Sequence, residues 1–137
     1  MIVNDSAGLL RILKDNRVVA VVGLSANPTR PSHVVAQYLL ERGYTIIPVN
    51  PGENAILGQK CYASLREIPQ KVDIVDCFRK SEEIPPLAED AIAIGARVLW
   101  MQLGVINPSA AQRASEAGLD VVEDRCIKIE HARLLVA

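Results

Sequence analysis

Residues 18–51, VVAVVGLSANPTRPSHVVAQYLLERGYTIIPVNP, contain the pattern that decides the fold of this chain. An apolar, β-branched run, Val18–Val22, stops at Gly23, and a polar loop then leads to an amphipathic stretch, His33–Arg42. A second β-rich run, Tyr44–Val49, follows after one glycine. The order strand, loop, helix, strand predicts a βαβ unit. Free N–H groups and the helix dipole favour phosphate at the start of such a helix, which indicates a nucleotide-bearing ligand.

The composition limits the classes of protein to which the chain can belong. Its 137 residues suit a single domain, residues 1–137, and half of them are hydrophobic. A formal net charge of −1 gives no basic excess for binding nucleic acid or an anionic membrane. The N-terminal residues lack the pattern of a secretory signal, and no apolar run approaches the ~20 residues that span a bilayer. We therefore expect a cytoplasmic protein with no nucleic-acid partner and no membrane partner.

The cysteines give no indication of a disulfide framework or of a metal site. The chain has three of them, Cys61, Cys77 and Cys126, and they form no CxxC pair. Only His33 and His131 could complete a mixed Cys/His cluster. We therefore expect three reduced thiols in or near the core, and no metal-binding residues.

The rest of the chain repeats the alternation of strands and helices. The patterns assign strands at 72–78, 96–102 and 119–123, helices at 6–15, 81–94 and 107–118, a loop at 52–62, a short helical turn at 64–68, and a closing helix or irregular tail at 126–135. The expected helix caps are Asp5 or Ser6, Ser81 and Asn107. Apolar strands that alternate with helices are typical of a parallel sheet covered on both faces. The predicted fold class is α/β, a single doubly wound Rossmann-like domain with a five-stranded, mostly parallel sheet.

In such a sheet the ligand crevice lies beyond the carboxyl ends of the strands, and the loop after the first strand is suited to phosphate. Gly23 and Ser25 are small enough for a phosphate to approach the backbone. Ser25, Thr29 and Ser32 supply hydroxyl groups, and Arg30 supplies a bidentate phosphate partner. The alternative is a capped helix start that binds nothing. The agreement of strand, loop length and helix favours a ligand site.

The same loop departs from the dinucleotide-binding pattern. After Gly23, the second and third glycines of GxGxxG are missing. A carboxylate at the end of the second strand would bind the adenosine ribose of NAD, but Asn50 and Pro51 occupy that place. Glu53 follows only after a turn. NAD(P) is therefore the second choice of ligand.

Few other residues suggest chemistry. Arg79 and Lys80 follow the third predicted strand and fit either phosphate binding or the solvated start of a helix. Trp100 and Met101 belong to a buried strand, where packing is the expected role. His33 is expected on the solvated surface rather than as a catalytic base. The sequence shows no Ser/His/Asp grouping, no paired carboxylates and no Walker lysine, so no catalytic residue is predicted.

Three blocks of the sequence together resemble a known family. They are residues 21–51, the strand VDIVDCFR at 72–79, and WMQLGV at 100–105. These blocks fall at three different strand ends and are similar to those of the small single-domain CoA-binding proteins. That family resembles the N-terminal domain of the succinyl-CoA ligase alpha subunit. The resemblance extends over essentially the whole chain and implies a Rossmann-like domain that holds coenzyme A across its strand ends.

The resemblance also implies which residues contact coenzyme A. For the pyrophosphate these are Gly23, Ser25, Pro28, Arg30 and Ser32. For the adenosine they are Val49, Asn50 and Pro51, and for the pantetheine-diphosphate path they are Phe78 and Arg79. The far wall is formed by Gln102, Leu103 and Gly104. Either Lys60 or Arg30 would reach the ribose 3′-phosphate, and the sequence does not decide between them.

The departures from the ligase decide what activity is expected. The ligase alpha subunit continues into a second domain with a phosphorylatable histidine, whereas this sequence ends at Ala137. His131 matches no catalytic motif of the ligase. The implied function is therefore binding of CoA or an acyl-CoA without catalysis, as a sensor or carrier module. The alternatives are an NAD(P)-binding regulatory domain and one component of a split acyl-CoA ligase.

Overall fold

The structure is a computed structural model that describes residues 1–136. Its elements, in chain order, are α1 (Ser6–Asp15), β1 (Val18–Val22), α2 (Pro31–Glu41), β2 (Thr45–Val49), β3 (Ala55–Ile56), β4 (Gln59–Lys60), β5 (Ile74–Cys77), α3 (Ile84–Ala93), β6 (Val98–Met101), α4 (Pro108–Glu116), β7 (Asp120–Val122) and α5 (Ile127–Leu135). Short 3-10 turns at Leu65–Glu67 and Ser81–Glu83 precede β5 and α3. The predicted alternation is confirmed, and the closing segment is a helix rather than an irregular tail.

Five of the strands form one parallel sheet in the order β2-β1-β5-β6-β7. Val19 of β1 pairs with Ile46 of β2 on one side and with Ile74 of β5 on the other. The chain thus steps from β1 outward to β2 and then crosses back to the other side of β1. This reversal sends the loops that follow β1 and β5 in opposite directions and leaves a crevice between them. Doubly wound sheets bind their ligands in this crevice. The predicted fold class is confirmed.

Helices cover both faces of the sheet because alternate strand residues point to opposite faces. Val19 belongs to the core formed with α1, α2 and α5, whereas Ala20 belongs to the core formed with α3 and α4. Trp100 and Met101 are fully buried, so their predicted role in packing is confirmed. The indole N–H of Trp100 donates to the backbone carbonyl of Arg125 at 2.8 Å, which satisfies the one polar atom of this side chain.

The predicted loop at 52–62 contains a short antiparallel hairpin, formed by β3 and β4. Its two turn residues, Leu57 and Gly58, both have positive φ, at 53° and 71°. Two consecutive positive φ angles are typical of the tightest hairpin turns, which usually begin with Asn, Asp or Gly. The leucine at the first turn position explains why the sequence pattern did not predict the hairpin.

The helix starts agree only partly with the predicted caps. The Asn107 side chain accepts a hydrogen bond from the Ala110 N–H at 3.0 Å, as predicted. Asp5 occupies the N-cap position of α1, but its side chain makes no capping bond. The prediction for Ser81 is wrong, since Ser81 lies in a 3-10 turn before α3 and its hydroxyl accepts from the Ile106 N–H at 3.0 Å. Ser81 therefore joins the loops after β5 and β6.

The three cysteines are free thiols in the described chain. Cys61 and Cys77 are buried, whereas Cys126 is half-buried. Burial raises the pKa of the Cys77 thiol far above its usual range. Among the helices of residues 1–136, none is long and apolar enough to cross a membrane.

Candidate functional site

An open cleft of about 910 Å³ lies at the carboxyl ends of the parallel strands. It is lined by most of the residues that the sequence placed there. The β1–α2 loop and the end of β2 contribute Gly23, Ser25, Arg30, Ser32, Asn50 and Pro51. The ends of β5 and β6 contribute Phe78, Arg79, Gln102 and Leu103. The crossover topology therefore brings together side chains that are up to 80 residues apart in sequence, as in other doubly wound sheets.

Five residues named from the sequence do not line this cleft. Pro28, Thr29 and Gly104 lie in the loops beyond it, and Val49 is buried in the core beside a smaller neighbouring groove. Lys60 lies in the β3–β4 hairpin, with its ammonium group 5.3 Å from the centre of the Tyr62 ring. Of the two candidates for a ribose phosphate, Arg30 alone lines the cleft.

The hydroxyl groups of the β1–α2 loop hold the loop in shape. The Ser25 N–H donates to the Ser32 hydroxyl at 2.9 Å, and the Asn27 N–H donates to the Ser25 hydroxyl at 3.1 Å. Thr29 donates from both its N–H and its hydroxyl to the Asn27 carboxamide oxygen, at 3.0 and 2.8 Å. The Ser25 and Ser32 oxygens accept within the loop, so their own hydroxyl protons remain available to a ligand. The Thr29 hydroxyl proton is already committed.

His33 has a different role from the one expected. It was predicted on the solvated surface, but it is only 8% exposed. Its Nδ1 lies 2.9 Å from the backbone carbonyl oxygen of Ser25. The imidazole thus fastens the first turn of α2 to the preceding loop. The sequence did not show this because the apolar pattern of the helix gives no sign of a histidine that folds back onto its own loop.

Gly23 is required by the fold as well as by the cleft. Its φ angle is +83°, which favours glycine. A Cβ atom at this position would overlap the backbone carbonyl of Phe78 and lie 3.1 Å from the Arg79 side chain. Any side chain here therefore displaces the β5 loop, and a substitution of Gly23 tests folding rather than ligand binding alone.

The region around the β1–α2 loop is the cationic part of the cleft. Helix α2 begins at Pro31, and its N-terminus carries the partial positive charge of the helix dipole. Arg30, Arg79 and Lys80 also line this part. Arg79 donates to Glu83 at 2.7 Å, and this hydrogen bond holds the pKa of the Glu83 carboxyl below its usual value. Within residues 1–136, Arg30 and Lys80 make no salt bridge, which leaves two cations for an anionic ligand.

The end of β2 carries a neutral carboxamide with fixed orientation. Asn50 donates from Nδ2 to the Leu24 carbonyl at 3.0 Å and accepts at Oδ1 from the Gly52 N–H at 2.9 Å. Both ends of this side chain are engaged. It connects the β2 loop to the β1 loop at the place where NAD-binding domains hold the ribose with an acidic residue.

The opposite end of the cleft, at β6 and α5, is mainly apolar. Leu103, Val105, Cys126 and Ile129 line it, and Leu103 is 65% exposed. The sequence did not single out Ile129 for the site, whereas Val105 ends the block WMQLGV at the fourth predicted strand. Because ligands bind beyond the carboxyl ends of the strands, a helix that follows the last strand is expected near the cleft. Which face of α5 meets the cleft depends on how the helix packs.

Asp76 is an unusual residue of the sheet beneath the cleft. It is fully buried in β5, and its register neighbours are Val21 and Trp100. Within the described chain, neither carboxyl oxygen has a hydrogen-bond partner. Burial raises the pKa of this carboxyl well above its usual value, because an apolar environment disfavours the charged form.

Comparisons with known proteins agree with this architecture. The chain is 44% identical over 128 residues to the uncharacterized protein YneT of Bacillus subtilis, which covers 93% of this chain and 95% of that protein. It is 34% identical over 96 residues to the alpha subunit of an ADP-forming acetate–CoA ligase I of Pyrococcus furiosus, covering 66% of this chain but only 21% of that subunit. A solved structure of a hypothetical protein from Pyrococcus horikoshii superposes with a TM-score of 0.93 at 42% identity, covering 96% of this chain and 93% of that one.

The family model of the CoA binding domain matches residues 17–132, a range that includes every residue lining the cleft. It also includes the three sequence blocks that first indicated a resemblance to CoA-binding proteins. By this match the chain belongs to the CoA binding domain family.

Proposed function

We propose that this protein binds coenzyme A, free or acylated, in the cleft at the carboxyl ends of its strands, and that it acts as a non-catalytic sensor or carrier. The observation that carries the proposal is that Arg30 and Lys80, two cations without a salt bridge in residues 1–136, lie with the N-terminus of α2 in one part of the cleft. Coenzyme A carries a pyrophosphate and a ribose phosphate, and both suit such a site. The family match supports the same ligand.

The neutral Asn50 at the end of β2 favours coenzyme A over NAD. The ribose of NAD is normally held by a carboxylate at this position. Asn50 is neutral and has one acceptor oxygen, which already accepts from the Gly52 N–H, whereas a carboxylate offers two charged oxygens to the ribose hydroxyls. We accordingly expect the cleft to prefer coenzyme A.

The proposal of a binding role rests on what the candidate catalytic side chains already do. His33 bonds to the Ser25 carbonyl, and the Nδ1 atom of His131 lies 2.9 Å from the Tyr38 hydroxyl, where α5 packs against α2. Glu83, the carboxylate that lines the cleft, is paired with Arg79.

Free thiols support a reducing, cytoplasmic location. A second candidate function is that of one component of a split acyl-CoA ligase. The similarity to the acetate–CoA ligase subunit supports it.

Titration calorimetry on the whole chain tests this proposal. Coenzyme A, NAD, NADP and ATP are titrated separately into the protein at the same ionic strength. We expect coenzyme A to bind most tightly. Tighter binding of NAD, or no heat and no thermal stabilisation with coenzyme A, would overturn the proposed ligand. ATP-dependent thioester formation by the chain alone would overturn the non-catalytic role.

A further inference from the structure

We propose that the ligand is a CoA thioester of a short, uncharged acyl group, whose carbonyl accepts a hydrogen bond from Gln102 and whose alkyl chain lies between Leu103 and Ile129. This inference rests on the proposed CoA binding and deepens it, because it names the acyl class. It follows from three features of the β6–α5 end of the cleft: its distance from the cations, the unpaired donor of Gln102, and its apolar walls.

The lining of the cleft changes in character along the row of strand ends. Arg30 belongs to the loop after β1, and Arg79 and Lys80 follow β5, whereas Leu103 follows β6 and Ile129 lies in α5 beyond β7. Neighbouring strands are about 4.8 Å apart, so β1 and β6 are separated by roughly 10 Å in this sheet order. A ligand whose phosphates lie at β1 therefore extends its other end along β5 to the apolar side chains.

Gln102 supplies one oriented donor at this apolar end. Its side chain is 4% exposed, and its Oε1 accepts from the Ile127 N–H at 3.1 Å, at the start of α5. Because the backbone N–H can only donate, the oxygen must face α5 and the Nε2 group must face elsewhere. Within residues 1–136, no protein acceptor bonds to Nε2. This NH₂ group can therefore donate to an acceptor on a ligand in the cleft, and a thioester carbonyl is such an acceptor.

The walls beside Gln102 favour an alkyl chain. Leu103 and Ile129 are 65% and 55% exposed, which is high for large apolar residues, and covering them would remove apolar surface from water. The cationic lining residues all lie at the β1–β5 part of the cleft. Asp124, in the β7 loop, accepts from the N–H of Gly104, the residue after Leu103, at 2.7 Å, and its negative charge would repel a second carboxylate nearby. A dicarboxylic acyl group is therefore disfavoured.

The test compares four probes by calorimetry on the whole chain: CoA, butyryl-CoA, hexanoyl-CoA and succinyl-CoA. We expect butyryl-CoA to bind about tenfold more tightly than CoA, which corresponds to about 1.4 kcal/mol. Hexanoyl-CoA should bind at least as tightly as butyryl-CoA, and succinyl-CoA should gain nothing over CoA. Equal affinity for CoA and butyryl-CoA, or a preference for succinyl-CoA, overturns the inference while leaving CoA binding intact. Failure of CoA itself to bind overturns the proposed function.

Three variants assign the preference to these residues. Gln102→Glu retains an acceptor for the Ile127 N–H but removes the NH₂ donor. Leu103→Ser removes one apolar wall. Each variant should reduce the ratio of butyryl-CoA affinity to CoA affinity at least threefold. Ile106→Ser is the matched control, because Ile106 is 48% exposed in the same loop but does not line the cleft. An unchanged ratio in both cleft variants contradicts the inference. Sedimentation tests whether Leu103 and Ile129 instead form an interface between two copies of the chain. If Leu103→Ser converts a dimer to a monomer and leaves the affinity ratio unchanged, the inference is also contradicted.

Discussion

The Nδ1 atom of His33 lies 2.9 Å from the backbone carbonyl oxygen of Ser25. Because a carbonyl oxygen only accepts, the proton of this bond belongs to Nδ1. The bond closes the β1–α2 loop onto the first turn of its own helix, beside the bond from the Ser25 N–H to the Ser32 hydroxyl. The loop therefore has its shape before a ligand arrives, which lowers the entropy cost of binding.

Replacement of His33 should weaken both the fold and the ligand site. His33→Ala leaves the Ser25 carbonyl without its partner, so we expect the free energy of unfolding to fall by about 1–3 kcal/mol. His33→Asn keeps a side-chain donor close to the position of Nδ1 and should recover part of the loss, both in chemical denaturation and in CoA titration. Identical behaviour of the alanine and asparagine variants would show that the hydrogen bond is unimportant.

Loss of the Arg30 guanidinium should weaken CoA binding without affecting the fold. Arg30 is exposed and unpaired within the described residues, so its removal breaks no internal salt bridge. A charge-assisted bond to phosphate is worth about 1.5–3 kcal/mol, and Arg30→Ala should therefore lower affinity roughly 10- to 150-fold in calorimetry. Arg97→Ala is the control, since Arg97 is exposed just before β6, at the other end of the sheet. Equal losses in both variants would point to general electrostatics instead of a contact.

Replacement of Asp76 by valine should stabilise the protein at neutral pH. The buried carboxyl has no partner in the described chain, and an unsatisfied buried polar group costs about 1–3 kcal/mol. Asp76→Val suits a strand and removes that cost. Asp73→Ala is the control and should destabilise the protein. Asp73 accepts from the Arg17 and Val18 N–H groups at 3.1 Å each, and the alanine variant loses both bonds. Urea denaturation at pH 7 measures both, and an Asp76→Val protein less stable than the wild type contradicts this prediction.

Asp76 should also make stability depend on pH. Below its unfolded pKa, near 3.8, the carboxyl is protonated in both states and has no effect on the pH dependence. Above that pH the unfolded chain releases the proton while the folded protein retains it, because burial raises the folded pKa. The free energy of unfolding of the wild type, relative to Asp76→Val, should therefore fall as pH rises from about 4 toward the folded pKa. A constant difference between pH 4 and pH 8 would disprove the linkage.

Cys126 should be the first thiol to react with N-ethylmaleimide, and bound butyryl-CoA should slow the reaction. Butyryl-CoA is the probe because its sulfur is acylated, whereas the free thiol of CoA would itself consume the maleimide. Cys126 is half-buried and lines the cleft, whereas Cys61 and Cys77 are buried. Burial also raises the pKa of the Cys77 thiol, which lowers the fraction of reactive thiolate. Peptide mapping by mass spectrometry, with and without saturating butyryl-CoA, gives the rate at each cysteine. Unchanged labelling of Cys126 with butyryl-CoA present would place the ligand away from the β6–α5 end.

Much of the fold was open to prediction because its signals are local. The β-branched run at Val18–Val22, the glycine after it and the apolar period of α2 are each contained in a few neighbouring residues, and together they specify a βαβ unit. Because ligands bind such sheets beyond the carboxyl ends of the strands, the sequence also predicts that Arg30, Asn50 and Gln102 lie in one crevice. The hairpin at Leu57 and the 3-10 turn at Ser81 were missed because their turn chemistry departs from the usual residues.

The sequence by itself determined the fold class and the loop that is suited to phosphate, because hydrophobic periodicity and turn residues act over short distances. The tertiary structure alone decided that β5 pairs with β1, that His33 turns inward to Ser25, and that α5 brings Ile129 to the cleft. Each of these depends on packing between segments far apart in the chain or on the rotamer of one side chain. Periodicity carries no information about either, since it fixes which face of an element is buried but not what that face meets.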